Sequence, residues 1–235
     1  TPWIPFYKET LKKGSSKLNK KFYRKRKSKR FSIPVADHFY GKRDLPELIS
    51  NQILESELRD SLIYKYSDLP YFFMKDLFEN RYNESLEVLA RDSFYLPLGL
   101  NRTTFNPNKN TPNQTIIPSE IDSYYRNQEL KGEVHDMAAA MLGGVGGHAG
   151  LFSNASEVAV LMQLFLNKGT YAGIRYFSAE TFDQFNQCLY CDQGNRRGVG
   201  FDKPQLEGSG STCGCVPKSS FCHSGFTGTY AWADP

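Results

Sequence analysis

Two short runs of this sequence combine residue types that can do chemistry. Tyr66-Ser67-Asp68 places a phenol, a hydroxyl and a carboxylate at the start of an apolar helical pattern. His223-Ser224-Gly225 places an imidazole, a hydroxyl and a bare backbone inside "SSFCHSGFTGTYAWADP", a stretch that otherwise reads as strand and turn. A phenol such as Tyr66 exchanges protons when neighbouring cations lower its pKa. A strand of small residues lets a substrate lie along its edge, and a backbone N–H just past Gly225 can point at a developing oxyanion. Each run alone is equally the mark of a buried tyrosine at a helix start or an ordinary edge strand. Taken together, with a helical stretch between them, they raise acyl transfer as the alternative to that plainer reading, which still leads on these two runs alone.

Other tempting clusters carry less. In "GGVGGHAG" (143–150), Gly144, Gly146 and Ala149 fit a G-x-G-x-x-A spacing, but a dinucleotide site needs a strand before the glycines, and "HDMAAAML" is helical. A tight backbone turn packed against a neighbour is the better reading. Cys188 and Cys191 form C-x-x-C, Cys213 and Cys215 form C-x-C, and Cys222 stands alone. The second pair is one residue too tight for the usual structural zinc spacing. Free thiols lead, with one or two disulfides, including one across the 192–212 loop, as the alternative in an exported protein, and a bound metal as the third. His38, His135, His148 and His223 show no ligand spacing, so neither a catalytic metal nor a cofactor is expected. His135 beside Asp136 reads as a hydrogen-bonding pair at a helix start.

The elements that must position these residues follow from periodicity. Helices are expected over 44–58, with Leu48, Ile49, Ile53 and Leu54 at helical spacing, and from Leu69, with Phe72, Phe73, Leu77 and Phe78 as its apolar stripe. Ser67 or Asp68 is the expected cap of the second, and Pro70 fits its first turn. Further helices are expected over 84–100 (broken at Pro97–Gly99), 133–144, 154–169 (capped by Asn154 or Ser156) and 178–187. The Asn-, Thr- and Pro-rich run 101–134 reads as a long surface loop. Strand character is clear only in "RRGVGFDKP" and the C-terminal run. This order predicts an α+β fold: residues 1–60 as a basic loop and connecting region, 61–190 as a mainly helical lobe, and 191–235 as sheet strands.

The net charge of +4 hides an asymmetry. Residues 12–30 hold eleven of the 29 Lys and Arg and no acidic residue. The run reads first as a solvated, mobile loop over a mildly acidic body. No zinc-finger spacing, ribonucleoprotein motif or basic helix supports nucleic acid as a partner. No apolar run is long enough to span a bilayer.

Longer stretches are more specific. "PLGLNRTTF", "GEVHD", "GGVGGHAGLFS", "RRGVGFDKP" and "FCHSGFTGTYAWADP" resemble the serine beta-lactamase and penicillin-binding-protein-like family, in its class C/esterase-like branch, from about residue 60 onward. The version is similar to one found in Bacteroidetes, where this domain can follow a beta-N-acetylglucosaminidase-like one. The resemblance implies a beta-lactamase/transpeptidase-like fold, with an antiparallel sheet flanked by helices plus a helical lobe. It places Tyr66 as the proton-shuttling tyrosine and Asp68 where the family usually has Asn. His223 falls at the Lys/His position, Ser224 at the hydroxyl that meets a substrate carboxylate, Gly225 at the required small position, and Phe226 at an oxyanion-hole N–H. A small-molecule or peptide substrate and a periplasmic or otherwise extracytoplasmic location are implied too. The family's Ser-x-x-Lys nucleophile motif is missing: no lysine has a serine three residues before it. The chain is therefore expected to be a truncated part of a serine acyl-enzyme hydrolase or transpeptidase-like protein acting on D-alanyl peptides, beta-lactams or esters. The alternative is a non-catalytic binding module of the same fold that holds anionic cell-wall polymer.

Overall fold

The computed structural model describes residues 4–13, 15, 17–59, 64–112, 115–205 and 216–235. The chain divides into two compact units, one of Thr1–Tyr95 with Asn101–Phe152 and one of Leu96–Leu100 with Ser153–Pro235.

The first unit opens with a short helix α1 (Phe6–Glu9), then strands β1 (Tyr23–Arg24), β2 (Ile33–Ala36) and β3 (Phe39–Gly41). These three form an antiparallel sheet in the order β1-β3-β2. Helix α2 (Leu45–Leu54) buries Leu45, Ile49 and Ile53, spaced four apart on one face, and leaves Leu54 in solvent. They pack with Phe6, Tyr23, Phe39, Tyr125 and Met141 in one core. Three hydroxyls inside that core satisfy one another. Thr10 Oγ1 lies 2.6 Å from the Tyr23 hydroxyl, which lies 3.0 Å from that of Tyr125. Burial pushes the Tyr23 phenol up to about 12, against smaller opposing effects of these hydrogen bonds.

Helix α3 (Leu69–Tyr82) buries only Leu69 and Phe72. Phe73, Leu77 and Phe78, expected in the same stripe, are exposed within this unit. The aromatic content of the helix is spread around its circumference, so no single face gathers it. Helix α4 (Leu86–Ala90), capped by the Ser85 hydroxyl on the Val88 N–H, runs into a π-helical turn at Arg91–Tyr95. The helical run thus ends just before Pro97, next to the break expected at Pro97–Gly99.

The run 101–134 departs most from expectation. It contains strand β4 (Thr104–Phe105), helix α5 (Pro107–Asn110), and the antiparallel pair β5 (Glu120–Asp122) and β6 (Gln128–Leu130). Its order comes from one buried ion pair. Asp122 accepts hydrogen bonds from the backbone N–H groups of Tyr124, Tyr125 and Arg126 and from Arg126 Nε at 2.7 Å. The Arg126 guanidinium also donates to the Val134 and His135 carbonyls, each at 2.6 Å. Burial alone would raise the Asp122 carboxyl, but these donors outweigh it and hold it below the ordinary range. Helix α6 (Met137–Met141) and strand β7 (Leu151–Phe152), paired with β4, complete the unit.

The second unit begins with α7 (Ala155–Leu166), capped by Asn154 Oδ1 on the Glu157 N–H at 3.0 Å. A hairpin of β8 (Thr170–Tyr171) and β9 (Ile174–Arg175) leads to α8 (Ala179–Asn186), capped by Ser178. Strands β10 (Phe221–Ser224) and β11 (Tyr230–Ala233) form the C-terminal hairpin. Phe182, Phe221 and Ala233 make its core, with Phe165, Phe177 and Phe201 around them. "RRGVGFDKP" is not a strand: it contributes isolated bridges, Arg197 to Asp202 and Asp202 to Cys222.

Candidate active-site elements

Tyr66 lies in the extended lead-in to α3, with its side chain about half in solvent (53%). Asp68 occupies the N-cap position, yet its side chain makes no capping hydrogen bond. The hydroxyl of Ser67 accepts the Leu69 N–H instead, at 3.2 Å, and the Asp68 carbonyl accepts the Tyr71 N–H at 3.0 Å. The Asp68 carboxylate, half-buried at a helix start, is thus not consumed by the helix.

What fixes this lead-in is the first turn of α3. Phe72 packs on Phe6 at 5.6 Å between ring centroids and stacks on the His148 ring at 4.4 Å and 20°. His148 belongs to the glycine cluster, which is a tight backbone turn, as its composition suggests. A Cβ on Gly147 would stand 2.3 Å from the Tyr71 carbonyl oxygen, so only glycine allows this approach to α3. His148 Nε2 lies 2.9 Å from Asp136 Oδ1, the same oxygen that caps α6 through the Ala139 N–H at 2.7 Å. Burial would raise the Asp136 carboxyl, but the His148 hydrogen bond and charge outweigh it and hold it low. The expected partner of Asp136 was the adjacent His135. That imidazole instead faces Glu120, at 3.7 Å. The residues of the real pair stand twelve apart, a spacing that no helix or strand period announces.

In the second unit, β10 pairs with β11 in the register Phe221↔Ala233, Cys222↔Trp232, His223↔Ala231 and Ser224↔Tyr230. The turn closes with the Gly225 N–H on the Thr229 carbonyl at 2.8 Å and the Gly228 N–H on the Gly225 carbonyl at 3.0 Å. A Cβ on Gly225 would meet Thr229 Oγ1 at 2.2 Å, so a side chain there would have to displace the Thr229 hydroxyl across the turn. On the other edge of β10, Cys222 and Asp202 exchange both backbone hydrogen bonds, each 2.9 Å. Backbone groups alternate sides along an antiparallel strand, so Ser224 presents its N–H and carbonyl on the same edge as Cys222, just beyond Asp202. His223 and Ser224 are exposed, and His223 Nδ1 lies 2.9 Å from the Ser224 carbonyl oxygen. Phe226, at the tip of the turn, is 94% exposed.

Asp202 and Lys203, which the sequence did not single out for this task, hold that edge in place. Arg197 reaches Asp202 at 2.5 Å. Lys203 Nζ donates to Asn186 Oδ1 at 2.8 Å and to the Ser219 carbonyl at 3.1 Å, tying the entry of β10 to the end of α8. Burial draws the Lys203 ammonium below its ordinary value. Cys188 and Cys191 are joined in a disulfide, which replaces the leading expectation of free thiols there. Their Cα atoms lie 5.6 Å apart, close enough for the bridge to span two intervening residues. Cys222 is a buried free thiol, raised by that burial. Cys213 and Cys215, and with them the bridge expected across the 192–212 loop, lie outside the described residues.

Tyr66 and Asp68 therefore sit together in the first unit, and His223, Ser224, Gly225 and Phe226 in the second. Helices with small antiparallel sheets place the chain in the α+β class. Two solved structures share that fold: a beta-lactamase-type protein of Bacteroides dorei (TM-score 0.52, 13% identity, 80% of this chain and 52% of that one) and a penicillin-binding-protein homologue of Caulobacter crescentus (TM-score 0.54, 16% identity, 81% and 55%). A family model described as Beta-lactamase matches residues 34–235. The chain belongs to the beta-lactamase family. It is 34% identical over 206 residues to an Escherichia coli K12 protein named for D-alanyl-D-alanine carboxypeptidase activity, covering 78% of this chain and 46% of that protein. It is 32% identical over 186 residues to a Bacillus subtilis protein named N-acetylmuramyl-L-alanine amidase, covering 72% and 41%. The chain thus spans a little under half the length of these curated relatives.

Proposed function

We propose that this chain supplies part of the cleft of an extracytoplasmic, cell-wall-related serine acyl-enzyme hydrolase or transpeptidase, acting on D-alanyl peptides, beta-lactams or simple esters. The observation that carries the reading is the edge of β10: past the Asp202 bridge, Ser224 offers backbone and hydroxyl groups beside His223, in a chain of the beta-lactamase family. A peptide laid along that edge would take strand-like hydrogen bonds, with the Ser224 hydroxyl meeting its carboxylate. The Phe226 N–H would stabilise the oxyanion as one donor of the hole.

The nucleophile is assigned to a Ser-x-x-Lys serine outside these 235 residues, because no lysine within them has a serine three positions before it. That serine oxygen bonds to the carbonyl carbon while its proton passes towards Tyr66 and the motif's lysine. The amine leaves with a proton returned through Tyr66, and water or a second amine then releases the acyl group. Asp68, in place of an amide, gives the substrate a charged neighbour and so favours substrates with a cationic or hydrogen-bond-donating group there.

The full-length protein should form a covalent adduct with a fluorescent penicillin or a fluorophosphonate. Tyr66→Phe should lower the labelling rate by about 100-fold or more, the usual scale for losing a general acid–base group. A full-length protein that stays unlabelled by both probes, or a Tyr66→Phe variant that labels at the wild-type rate, overturns the reading.

A further inference from the structure

Residues 12–30 are anchored to the first unit rather than free of it. Tyr23 is buried in the core and paired through β1, and Phe31 is buried as well. The Asn19 N–H donates to the Thr10 carbonyl, and the Lys42 and Arg43 N–H groups donate to the carbonyls of Phe22 and Arg30. Ser28 and Phe31 close a turn by a backbone hydrogen bond of 3.0 Å. On this scaffold all eleven Lys and Arg side chains of the run are exposed, and Arg43 adds a twelfth cation beside Arg30. None of the eleven makes an ion pair with a carboxylate among the described residues. Of the carboxylates nearest in the chain, Asp37 and Asp44 face His38 and Lys42 instead. Like charges at this density repel one another, so an ordered array of them is stabilised by an anionic partner.

We propose that this basic face docks on an anionic phospholipid bilayer through its headgroup phosphates. The aromatic residues within the run are turned inward: Tyr23 and Phe31 are buried, and Phe22 packs against the core. That removes the stacking platforms a single-stranded nucleic acid would use. No large apolar side chain of the run is exposed, so contact is at headgroup level and not by insertion. The cations come from several passes of the chain, 12–21, 24–30 and Arg43, the last joined to Arg30 by a backbone hydrogen bond. Clusters of four to eight Lys and Arg are sufficient to recognise anionic lipid, and this face exceeds that number. Arg24, stacked over the Phe31 ring at 4.5 Å, is held in place for such contact.

The test is co-sedimentation of the full-length protein with vesicles of phosphatidylcholine mixed with anionic phosphatidylglycerol, against pure phosphatidylcholine. Binding to the first alone is expected, and raising salt from about 0.05 to 0.5 M should release it, since the screening length falls to a few ångströms. Replacing Lys25, Arg26, Lys27 and Lys29 together with Gln should weaken binding by about 100-fold or more, at roughly fivefold per cation. A charge-preserving variant, with Lys25, Lys27 and Lys29 changed to Arg, should bind as the wild type does, and circular dichroism checks that both variants fold. Equal binding to both vesicles, or full binding by the Gln variant, overturns the proposal, as does loss of binding in the charge-preserving one. Capture by immobilised inorganic polyphosphate without vesicle binding also overturns it, in favour of a soluble polyanion. No step of this test reads turnover, so it stands or falls separately from the acyl-transfer reading.

Discussion

The pair formed by Asp136 and His148 gives a sharp test of what holds the Tyr66 segment in place. Asp136→Ala removes two things at once: the cap of α6, worth about 1 kcal/mol, and the charge-assisted hydrogen bond to His148, worth about 1.5–3 kcal/mol. We expect a total of about 3 kcal/mol from these two sources. His148→Phe keeps a ring against Phe72 and loses only the hydrogen bond, for about 1.5 kcal/mol. The double variant loses the cap once and the hydrogen bond once. It should therefore resemble Asp136→Ala alone, leaving a coupling of about 1.5 kcal/mol in a double-mutant cycle. Urea denaturation of the full-length protein, followed by circular dichroism, measures all four corners. The pH dependence has a fixed sign. The Asp136 carboxyl is held low in the folded state, so its contribution is present above the ordinary carboxylate range near 4 and is lost as pH falls through the folded value. Costs that add to within about 0.4 kcal/mol would show that the two side chains act independently and refute the brace.

Three further outcomes follow from single distances. Gly147→Ala places a Cβ 2.3 Å from the Tyr71 carbonyl oxygen, a backbone atom that no rotamer change relieves, and should lower thermal stability by several degrees, the scale of a 1–3 kcal/mol overpacking penalty. Gly225→Ala meets the Thr229 hydroxyl at 2.2 Å, so its penalty should largely vanish in the Gly225→Ala/Thr229→Ala double variant, read in the same melt. Tyr23→Phe should cost about 1–2 kcal/mol through its lost hydrogen bonds. It should also flatten the alkaline limb of a pH–stability profile: the Tyr23 phenol is raised to about 12, so its stabilisation is present below pH 10 and lost as pH rises to the folded value.

Capping and amphipathic spacing made the regular elements legible from sequence. Asn154, Ser178 and Ser85 each begin a helix because a side-chain oxygen meets a backbone N–H three residues on, a purely local event. The His-Ser-Gly hairpin was legible for the same reason, since its turn is closed by glycines within five residues. The region 101–134 was misread because its order is carried by Arg126, whose guanidinium is fully buried on Asp122 and on carbonyls eight and nine residues away. A polar composition signals a loop only where the polar groups face water. Here they face one another, and the cost of burying an ion pair is offset by a hydrogen bond from each of the three guanidinium nitrogens.

The same reasoning bears on Asp68. For a helix that starts at Leu69 the sequence offers two caps, Ser67 and Asp68, and the aspartate at the position just before it is the usual choice. Ser67 takes that task by reaching the Leu69 N–H, and the two residues divide their roles: one hydroxyl completes the helix start while the carboxylate beside it is left for other contacts. On that logic Ser67→Ala should act on stability, by about 0.5–1 kcal/mol in a melt. Asp68→Asn should leave stability unchanged and alter only the ratio of acylation rates between cationic and neutral substrates of the full-length protein. An Asp68→Asn variant that loses stability as Ser67→Ala does would show that the carboxylate serves the helix after all, and would remove Asp68 from the proposed site.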